Sequence, residues 1–350
     1  MISALNLLIK EHISHEKFTA CAVKIVHKNH VLYKNVIGLA NPSLNLPATH
    51  DTFFDLASIT KVVVASTFMS LVDSKIIGLD DCVKEITPNF YGLNKEITFR
   101  QLLAHTSGLP ASFNLYENQE WQNGKEFVLK KLVNTPLINR PGDKVVYSCL
   151  GFMLLGYAIE FLTNKRLDEA VNDFLAPLNL SNDIVYKPYE KHRNIAITTY
   201  TRPNRGYISP GVVHDGNAIS IDEGIAGNAG LFSKCDAIAS FGESFLNKTI
   251  FSNDILIKYM VSEQGETNGE RRGLGWKLVG NIKDNPSSLL SKNSYGHSGF
   301  TGTSLWIDPD RSLVIATLTN SVHFYKDKND SKRFQDFINK LNKIVITHII

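Results

Sequence analysis

The spacing of apolar residues along the chain predicts strands near its two ends and helices in its middle. The first residues predict an amphipathic surface helix, because apolar side chains recur there at helical spacing: Ile2, Leu5, Leu8, Ile9 and Ile13. Two β-rich segments, 20–27 and 30–40, follow this helix. They predict a hairpin that turns at Lys28-Asn29.

Helical periodicity then dominates the central part of the chain. It predicts helices over 58–75, 98–104 (with Thr98 as N-cap), 124–134, 150–163, 167–175 and 234–248. The stretch 188–222 is rich in Pro, Gly, Asn and Thr and predicts irregular structure. Three later segments predict strands, and a final helix follows them: 273–279, 302–308 and 312–320, then 331–345.

Strands and helices therefore do not alternate as they do in a parallel βαβ sheet. We expect an α+β sandwich, in which the two chain ends form a mostly antiparallel sheet and a mostly helical subdomain is inserted between them. Within one 350-residue domain, this predicts a sheet part of residues 1–57 plus 230–350 and a helical part of residues 58–229.

Composition narrows the class of protein. Hydrophobic residues make up 43% of the chain and charged residues 20%, which is typical of a globular protein. The formal net charge of +3 is too small to indicate a nucleic-acid or anionic-membrane partner. We expect no membrane span, because no apolar run approaches the roughly 20 residues that a membrane helix needs. The N-terminus lacks the features of a secretory signal, so we expect a cytoplasmic protein.

The four cysteines are far apart and form no CxxC pair, which argues against a disulfide scaffold or a zinc site. We expect no metal and no cofactor. The motifs GxxxxGK[ST], GxGxxG, HExxH and GxSxG are all absent from the sequence. The sequence therefore gives no motif evidence for a kinase, a dinucleotide-dependent enzyme, a zincin or an ordinary α/β-hydrolase.

A Ser-x-x-Lys sequence, Ser58-Ile59-Thr60-Lys61, is the strongest candidate for chemistry. Residues three apart share a helix face, and a lysine whose pKa is lowered by desolvation can take the proton of a serine. A lone SxxK is usually an ordinary surface helix, and the second one, at Ser14–Lys17, predicts a solvated helix end. The apolar residues on both sides of Ser58 instead predict a buried helix start.

Two further segments carry candidate residues. Tyr147-Ser148-Cys149 opens an apolar helix, so Tyr147 is either a core residue or a proton relay beside a lysine. Residues 295–302, YGHSGFTG, introduce a strand whose glycines allow close approach of a ligand. His297 within this segment is either structural or part of a site.

In this order and spacing, the motifs resemble the serine β-lactamase-related superfamily, and within it class C β-lactamases, D,D-peptidases and the esterases that share their fold. Segments 103–110, 229–233 and 272–276 support the resemblance, which runs from about residue 18 to about residue 320. It implies the β-lactamase/transpeptidase-like fold, with an antiparallel sheet flanked by N- and C-terminal helices.

Carried over residue by residue, the resemblance implies that Ser58 is the acylated nucleophile and that Lys61 and Tyr147 transfer protons. It implies an oxyanion hole formed by the backbone N–H groups of Ser58 and Phe300. The implied substrate-binding residues are Cys149, His297, Ser298 and Gly299.

Two of these positions depart from the β-lactamase pattern. Cys149 stands where the family has an asparagine, and His297 stands where it has a lysine that binds a carboxylate. Both changes favour an esterase-like serine hydrolase acting on a small-molecule ester, amide or β-lactam-like substrate. A D,D-peptidase or muropeptide-processing hydrolase, a class C-like β-lactamase and a catalytically silent ligand-binding domain remain alternatives. The oligomeric state stays open.

Overall fold

The chain folds as helices packed on both faces of an antiparallel sheet. In the computed structural model, the described residues are 1–87, 90, 92–93, 96–113, 115, 120–198, 201–202, 206–207, 209–280, 289–324 and 331–349. The strands are β1 (Ala20–His27), β2 (His30–Asn41), β3 (Leu46–Pro47), β4 (Phe54–Asp55), β5 (Ile184–Tyr186), β6 (Thr201–Arg202), β7 (Gly206–Tyr207), β8 (Leu231–Ser233), β9 (Gly265–Thr267), β10 (Glu270–Arg272), β11 (Lys277–Leu278), β12 (Tyr295–Gly299), β13 (Thr303–Asp308) and β14 (Leu313–Thr319). The helices are α1 (Ile2–Ser14), α2 (Thr60–Asp73), α3 (Val83–Ile86), α4 (Phe99–Leu103), α5 (Gly124–Val133), α6 (Cys149–Thr163), α7 (Leu167–Leu175), α8 (Cys235–Leu246), α9 (Asp254–Val261) and α10 (Ser331–Ile349).

Over the described ranges, nine strands pair antiparallel in the order β3-β2-β1-β14-β13-β12-β11-β10-β9. The predicted α+β fold, with a sheet built from the two chain ends, is therefore confirmed. The β1–β2 turn lies at Lys28-Asn29, where both residues have positive φ (50° and 63°), as a tight type I′ turn requires.

The period-2 alternation of β1 separates two hydrophobic cores. Val23 and Ile25 face α1 and α10 in the smaller core, whereas Ala22 and Val26 face the larger core, which also contains α2, α6 and α8. Helix α2 is apolar around nearly its whole circumference and lies buried inside the larger core. Any polar side chain in its first turn is thereby held in a low-dielectric environment.

One predicted strand is wrong in its extent. The predicted segment 273–279 is a strand only at Lys277–Leu278, because Gly273–Trp276 forms the turn between β10 and β11. Gly275 has φ +79°, and a Cβ added at Gly273 would lie 2.1 Å from the carbonyl oxygen of Met260. Of the predicted irregular stretch, residues 199–200, 203–205 and 208 lie outside the described residues. The division into two subdomains stays a prediction.

Candidate active site

Ser58 lies where a strained backbone enters the buried helix. It is the central residue of a single 3₁₀ turn, Ala57–Ile59, that runs directly into α2. Ala57 before it has φ +46°, a conformation that residues with a Cβ rarely adopt. The Ala57 N–H donates to Asp55 Oδ1 at 2.8 Å, which holds this conformation. The serine is thus fixed at a helix start, where first-turn N–H groups favour developing negative charge.

Lys61 contacts Ser58 directly. Its ammonium donates hydrogen bonds to Ser58 Oγ at 3.1 Å and to the backbone carbonyl of Asn228 at 2.8 Å. The side chain is 0% exposed. By contrast, Ser14 of the second SxxK lies exposed at the end of α1, as predicted. Of the two SxxK sequences, only the one at Ser58 therefore lies in a buried pocket.

The protonation of Lys61 differs from the sequence-based expectation. Burial lowers the pKa of Lys61, but the neighbouring Cys149 and Tyr147 groups raise it, and the balance lies above the ordinary pKa of lysine. The expectation of a lowered pKa considered burial alone and is wrong in direction. Lys61 is therefore an ammonium that donates to Ser58, and it can accept a proton only after losing one of its own.

Tyr147 lies beside the Lys61 ammonium. Its ring centroid lies 5.0 Å from Lys61 Nζ on one side and 4.8 Å from Arg272 Cζ on another. Its hydroxyl is buried and has no hydrogen-bond partner of ordinary geometry among the described residues. Buried polar atoms in proteins are usually satisfied, so this hydroxyl beside Lys61 makes Tyr147 a candidate functional residue.

His105 packs against Tyr147, and it was predicted only as part of the segment 103–110, with no role in the site. Its Nδ1 accepts the N–H of Ser148 at 3.0 Å, and its ring lies 4.6 Å from that of Tyr147. Burial, then the charges of Arg272 and Lys61, lower the pKa of His105 well below its usual value, so it is neutral. The Ser148 side chain caps α6 by accepting from the Gly151 N–H at 3.3 Å. Cys149 follows as the first residue of α6.

The end of β12 packs tightly against the segment that precedes Ser58. A Cβ added at Gly299 would lie 2.4 Å from the carbonyl oxygen of Leu56 and 3.2 Å from Ala57 Cβ, so only glycine fits there. The hydroxyl of Thr301 donates to the Asp55 carbonyl at 2.6 Å. These contacts bring Phe300, whose side chain is 49% exposed, to the same opening as Ser58.

His297 is buried and paired with Arg272. Its Nδ1 lies 2.9 Å from the Ser298 carbonyl, and its Nε2 lies 3.4 Å from Arg272 Nη1. This pattern fits a neutral ring that donates from Nδ1 and accepts at Nε2. Burial, then the charges of Arg272 and Lys61, lower the pKa of His297 well below its usual value. His297 therefore adds no positive charge to the site near neutral pH.

Arg272 supplies the cation that His297 does not. It is 5% exposed, and its Nε donates to Glu270 Oε1 at 2.9 Å while a second nitrogen pairs with the same carboxylate. In the sequence, Arg272 was noted only as part of the motif at 272–276. A charged residue inside this apolar, glycine-containing motif could have pointed to the site, because a charge that is buried there needs a partner within the fold.

A cavity of about 540 Å³ brings the candidate residues together. Seven of the eight predicted site residues line it: Ser58, Tyr147, Cys149, His297, Ser298, Gly299 and Phe300. Lys61 lies behind Ser58 rather than on the cavity surface. Four charged residues also line the cavity, and none of them was predicted to belong to the site: Asp215, Glu270, Arg272 and Lys277.

The described residues contain no group of three or more His, Cys, Asp or Glu side chains placed to hold a metal ion. In the same part of the chain, no helix combines the length and the apolar composition needed to cross a membrane.

Comparison with known sequences gives a consistent family. A family model described as Beta-lactamase matches residues 5–340. A putative D-alanyl-D-alanine carboxypeptidase of Escherichia coli (strain K12) is 29% identical over 338 residues, covering 85% of this chain and 77% of that protein. An N-acetylmuramyl-L-alanine amidase of Bacillus subtilis (strain 168) is 33% identical over 304 residues, covering 78% of this chain and 68% of that protein.

Solved structures give the same fold. The octameric penicillin-binding protein homologue from Pyrococcus abyssi superposes with a TM-score of 0.74 at 22% identity, covering 90% of this chain and 72% of that one. EstCE1, a hydrolase with promiscuous acyltransferase activity, superposes with a TM-score of 0.75 at 19% identity, covering 96% of this chain and 98% of that one. At these identities the likeness establishes the fold alone.

Proposed function

Because the chain belongs to the Beta-lactamase family of serine hydrolases, as its motifs predicted, we propose that it cleaves an ester or amide through an acyl-enzyme on Ser58. The observation that carries this proposal is the buried Lys61 ammonium hydrogen-bonded to Ser58, with the orphaned Tyr147 hydroxyl beside it. A serine becomes a nucleophile only when neighbouring groups can take its proton, and this cluster supplies them.

In the proposed acylation step, Lys61 and Tyr147 share protons. The step begins once the Lys61 ammonium has lost one proton to solvent, and the neutral amine takes the Ser58 proton as Oγ bonds to the substrate carbonyl carbon. The carbonyl electrons move to its oxygen, and the backbone N–H groups of Ser58 and Phe300 stabilise that negative charge. The bond to the leaving group then breaks as a proton passes to it from the Tyr147 hydroxyl, and Lys61 returns a proton to the Tyr147 oxygen.

Deacylation repeats these steps with water as the nucleophile. Water loses a proton to the Lys61 and Tyr147 pair and attacks the acyl carbon. The ester bond to Ser58 Oγ then breaks, and the serine regains its proton. Arg272 takes no proton in this scheme, since guanidinium stays charged. Its role is to hold the Tyr147 ring and the neutral His297 ring in place.

The two departures from the β-lactamase pattern favour ester over β-lactam hydrolysis. Cys149 offers a weakly hydrogen-bonding thiol where an amide side chain would contact the substrate, and it lines the same cavity as Ser58. His297 is neutral and already hydrogen-bonded within the protein, so it cannot replace a cationic lysine. Both changes leave the nucleophile and its proton partners intact.

A second candidate is a D,D-peptidase, favoured by the names of relatives such as the putative D-alanyl-D-alanine carboxypeptidase. A third is a ligand-binding domain without turnover. A substrate panel of short p-nitrophenyl esters, a chromogenic cephalosporin and D-Ala-D-Ala peptides separates the three. We expect ester turnover to exceed the other two activities and to vanish in Ser58→Ala.

Ser14→Ala is the matched control for this experiment, because it changes the other SxxK serine at an exposed helix end. It should keep the activity of the unmodified protein. Peptide turnover above ester turnover would favour the peptidase, and activity that survives Ser58→Ala would refute the proposed nucleophile.

A further inference from the structure

A buried carboxylate lies three residues before Ser58 in the sequence. Asp55, the last residue of β4, is 2% exposed, and its neighbours along the chain are buried apolar residues. A carboxylate in such surroundings needs hydrogen bonds that replace those it makes with water. Its Oδ1 accepts the Ala57 N–H at 2.8 Å, and its Oδ2 accepts the His214 N–H at 2.8 Å. One side chain therefore connects the turn before Ser58 to a segment 159 residues away in the sequence.

The backbone carbonyl of Asp55 holds a third segment. It accepts the hydroxyl of the buried Thr301 at 2.6 Å. Thr301 directly follows Phe300, whose N–H is the second donor of the proposed oxyanion hole. The ring of His214, whose backbone N–H donates to the Asp55 carboxylate, also lies 5.8 Å from the Phe300 ring. Asp55 thus contacts the segments on both sides of the proposed oxyanion hole.

The conformation of Ala57 needs support from its surroundings. Its φ of +46° is rare for a residue with a Cβ, and such a conformation persists only when neighbouring contacts hold it. The hydrogen bond to Asp55 Oδ1 is a contact of this kind. Because Ser58 follows Ala57, a change at Ala57 moves the Ser58 N–H relative to the Phe300 N–H. Both N–H groups must lie about 2.7–3.1 Å from the position of the oxyanion to stabilise it.

We propose that Asp55 is a positioning residue, which holds the Ser58 and Phe300 N–H groups at the separation that the oxyanion requires. The proposal rests on the proposed function and deepens it, because it concerns how the same site stabilises its transition state. Asp55 accepts no proton in the acylation step and acts through Ala57 and Thr301. Loss of its carboxylate should therefore weaken binding of the transition state more than binding of the substrate.

Asp55→Asn tests this proposal, because it keeps the size of the side chain and removes its ability to accept both N–H groups. The amide has one oxygen acceptor, and its NH2 group faces the other backbone N–H as a second donor. One measurement is the kcat and KM of a p-nitrophenyl ester. The other is the Kd of phenylboronic acid, measured by calorimetry. This acid forms a tetrahedral adduct with a serine hydroxyl and places an oxygen in the oxyanion hole without turnover.

We expect Asp55→Asn to lower kcat about 10- to 100-fold with little change in KM, and to raise the Kd of the boronic acid by a similar factor. Asp308 provides the matched control. It is 1% exposed, lies at the end of β13 outside the cavity, and accepts the backbone N–H groups of Ser291 at 2.9 Å and Arg311 at 3.2 Å. Asp308→Asn should lower Tm and leave kcat and the Kd unchanged.

A lower Tm in Asp55→Asn, with kcat and the Kd of the unmodified protein, would show a merely structural role and overturn the proposal. If Asp55→Asn does not fold, Thr301→Val decides, because it removes only the hydroxyl that donates to the Asp55 carbonyl. We expect Thr301→Val to raise the Kd about tenfold, since the Phe300 N–H is then less firmly placed. An unchanged Kd in Thr301→Val would equally overturn the proposal.

The boronic acid also separates failure of this proposal from failure of the proposed function. If the unmodified protein cleaves no ester but binds the acid, and Asp55→Asn weakens this binding about tenfold or more, the positioning role stands and the hydrolase proposal fails. If the unmodified protein neither cleaves the esters nor binds the acid, the oxyanion hole is refuted, and the positioning role with it.

Discussion

Replacing Tyr147 with phenylalanine removes one oxygen atom from the site and keeps the ring. The ring makes the packing contacts, with centroids 4.6 Å from His105 and 5.8 Å from His297, whereas the hydroxyl has no hydrogen-bond partner of ordinary geometry among the described residues. Removing the hydroxyl keeps these ring contacts, so the free energy of unfolding should change by no more than about 1 kcal/mol.

The effect on activity should be large by comparison. If the Tyr147 hydroxyl carries protons between Lys61 and the leaving group, kcat for a p-nitrophenyl ester should fall about 10²–10⁴-fold. KM should change little for an ester whose chemical step is slow, because the ring still lines the cavity. Steady-state kinetics and thermal unfolding, measured on the same preparations, give both quantities.

Tyr157 provides the matched control, because it lies on α6 outside the cavity and its hydroxyl donates to the Lys125 carbonyl at 2.7 Å. Tyr157→Phe should cost about 0.5–1.5 kcal/mol of stability. For a chain of this size, that is a decrease in Tm of about 1–2 °C, with kcat retained. If kcat for Tyr147→Phe stays within about threefold of the unsubstituted protein, the proton-transfer role is refuted, because a threefold decrease is far smaller than the expected 10²–10⁴-fold decrease.

Three further outcomes follow from the site. Lys61→Met should lower kcat by several orders of magnitude, because a nucleophile and its proton partners act as a unit, and ester kinetics checks this. The double substitution Cys149→Asn with His297→Lys should raise cephalosporin hydrolysis while changing short-ester hydrolysis less; no gain would show that cavity shape sets the preference. Because His105 and His297 have lowered pKa values, the unfolded state binds more protons below about pH 6.5. Tm should therefore fall on acidification from pH 7 to 5, and an equal acid-induced decrease in His297→Gln would contradict a contribution from this residue.

The helices and strands of the chain were predictable where local pattern decides them. Residues 167–175 are a helix with the predicted bounds, and Thr98 caps α4 by accepting the Gln101 N–H, as its type and position indicated. The burial of the segment at Ser58–Lys61 was also predictable, because an SxxK inside an apolar stretch is unusual for a surface helix. Periodicity failed at 273–276, where Gly273 and Gly275 turn the chain and the apolar Leu274 and Trp276 imitate a strand.

Long-range contacts explain what the sequence could not supply. The pKa of Lys61 depends on Cys149 and Tyr147, almost ninety residues away, and burial alone gave the wrong direction. Similarly, His105 matters through the Ser148 N–H, which its Nδ1 accepts from 43 residues away in the sequence. Residue type and spacing identify groups that carry chemistry, but the charges that set their protonation come from distant segments.

The central claim is that Ser58 forms the acyl-enzyme, and covalent trapping tests it most directly. The protein is incubated with a fluorophosphonate probe, and the adduct is located by intact mass and peptide mapping. We expect one adduct per chain, on the peptide that contains Ser58, with the same labelling in Ser14→Ala and none in Ser58→Ala. An adduct on another residue, or labelling of Ser58→Ala at the rate of the unsubstituted protein, would contradict the claim.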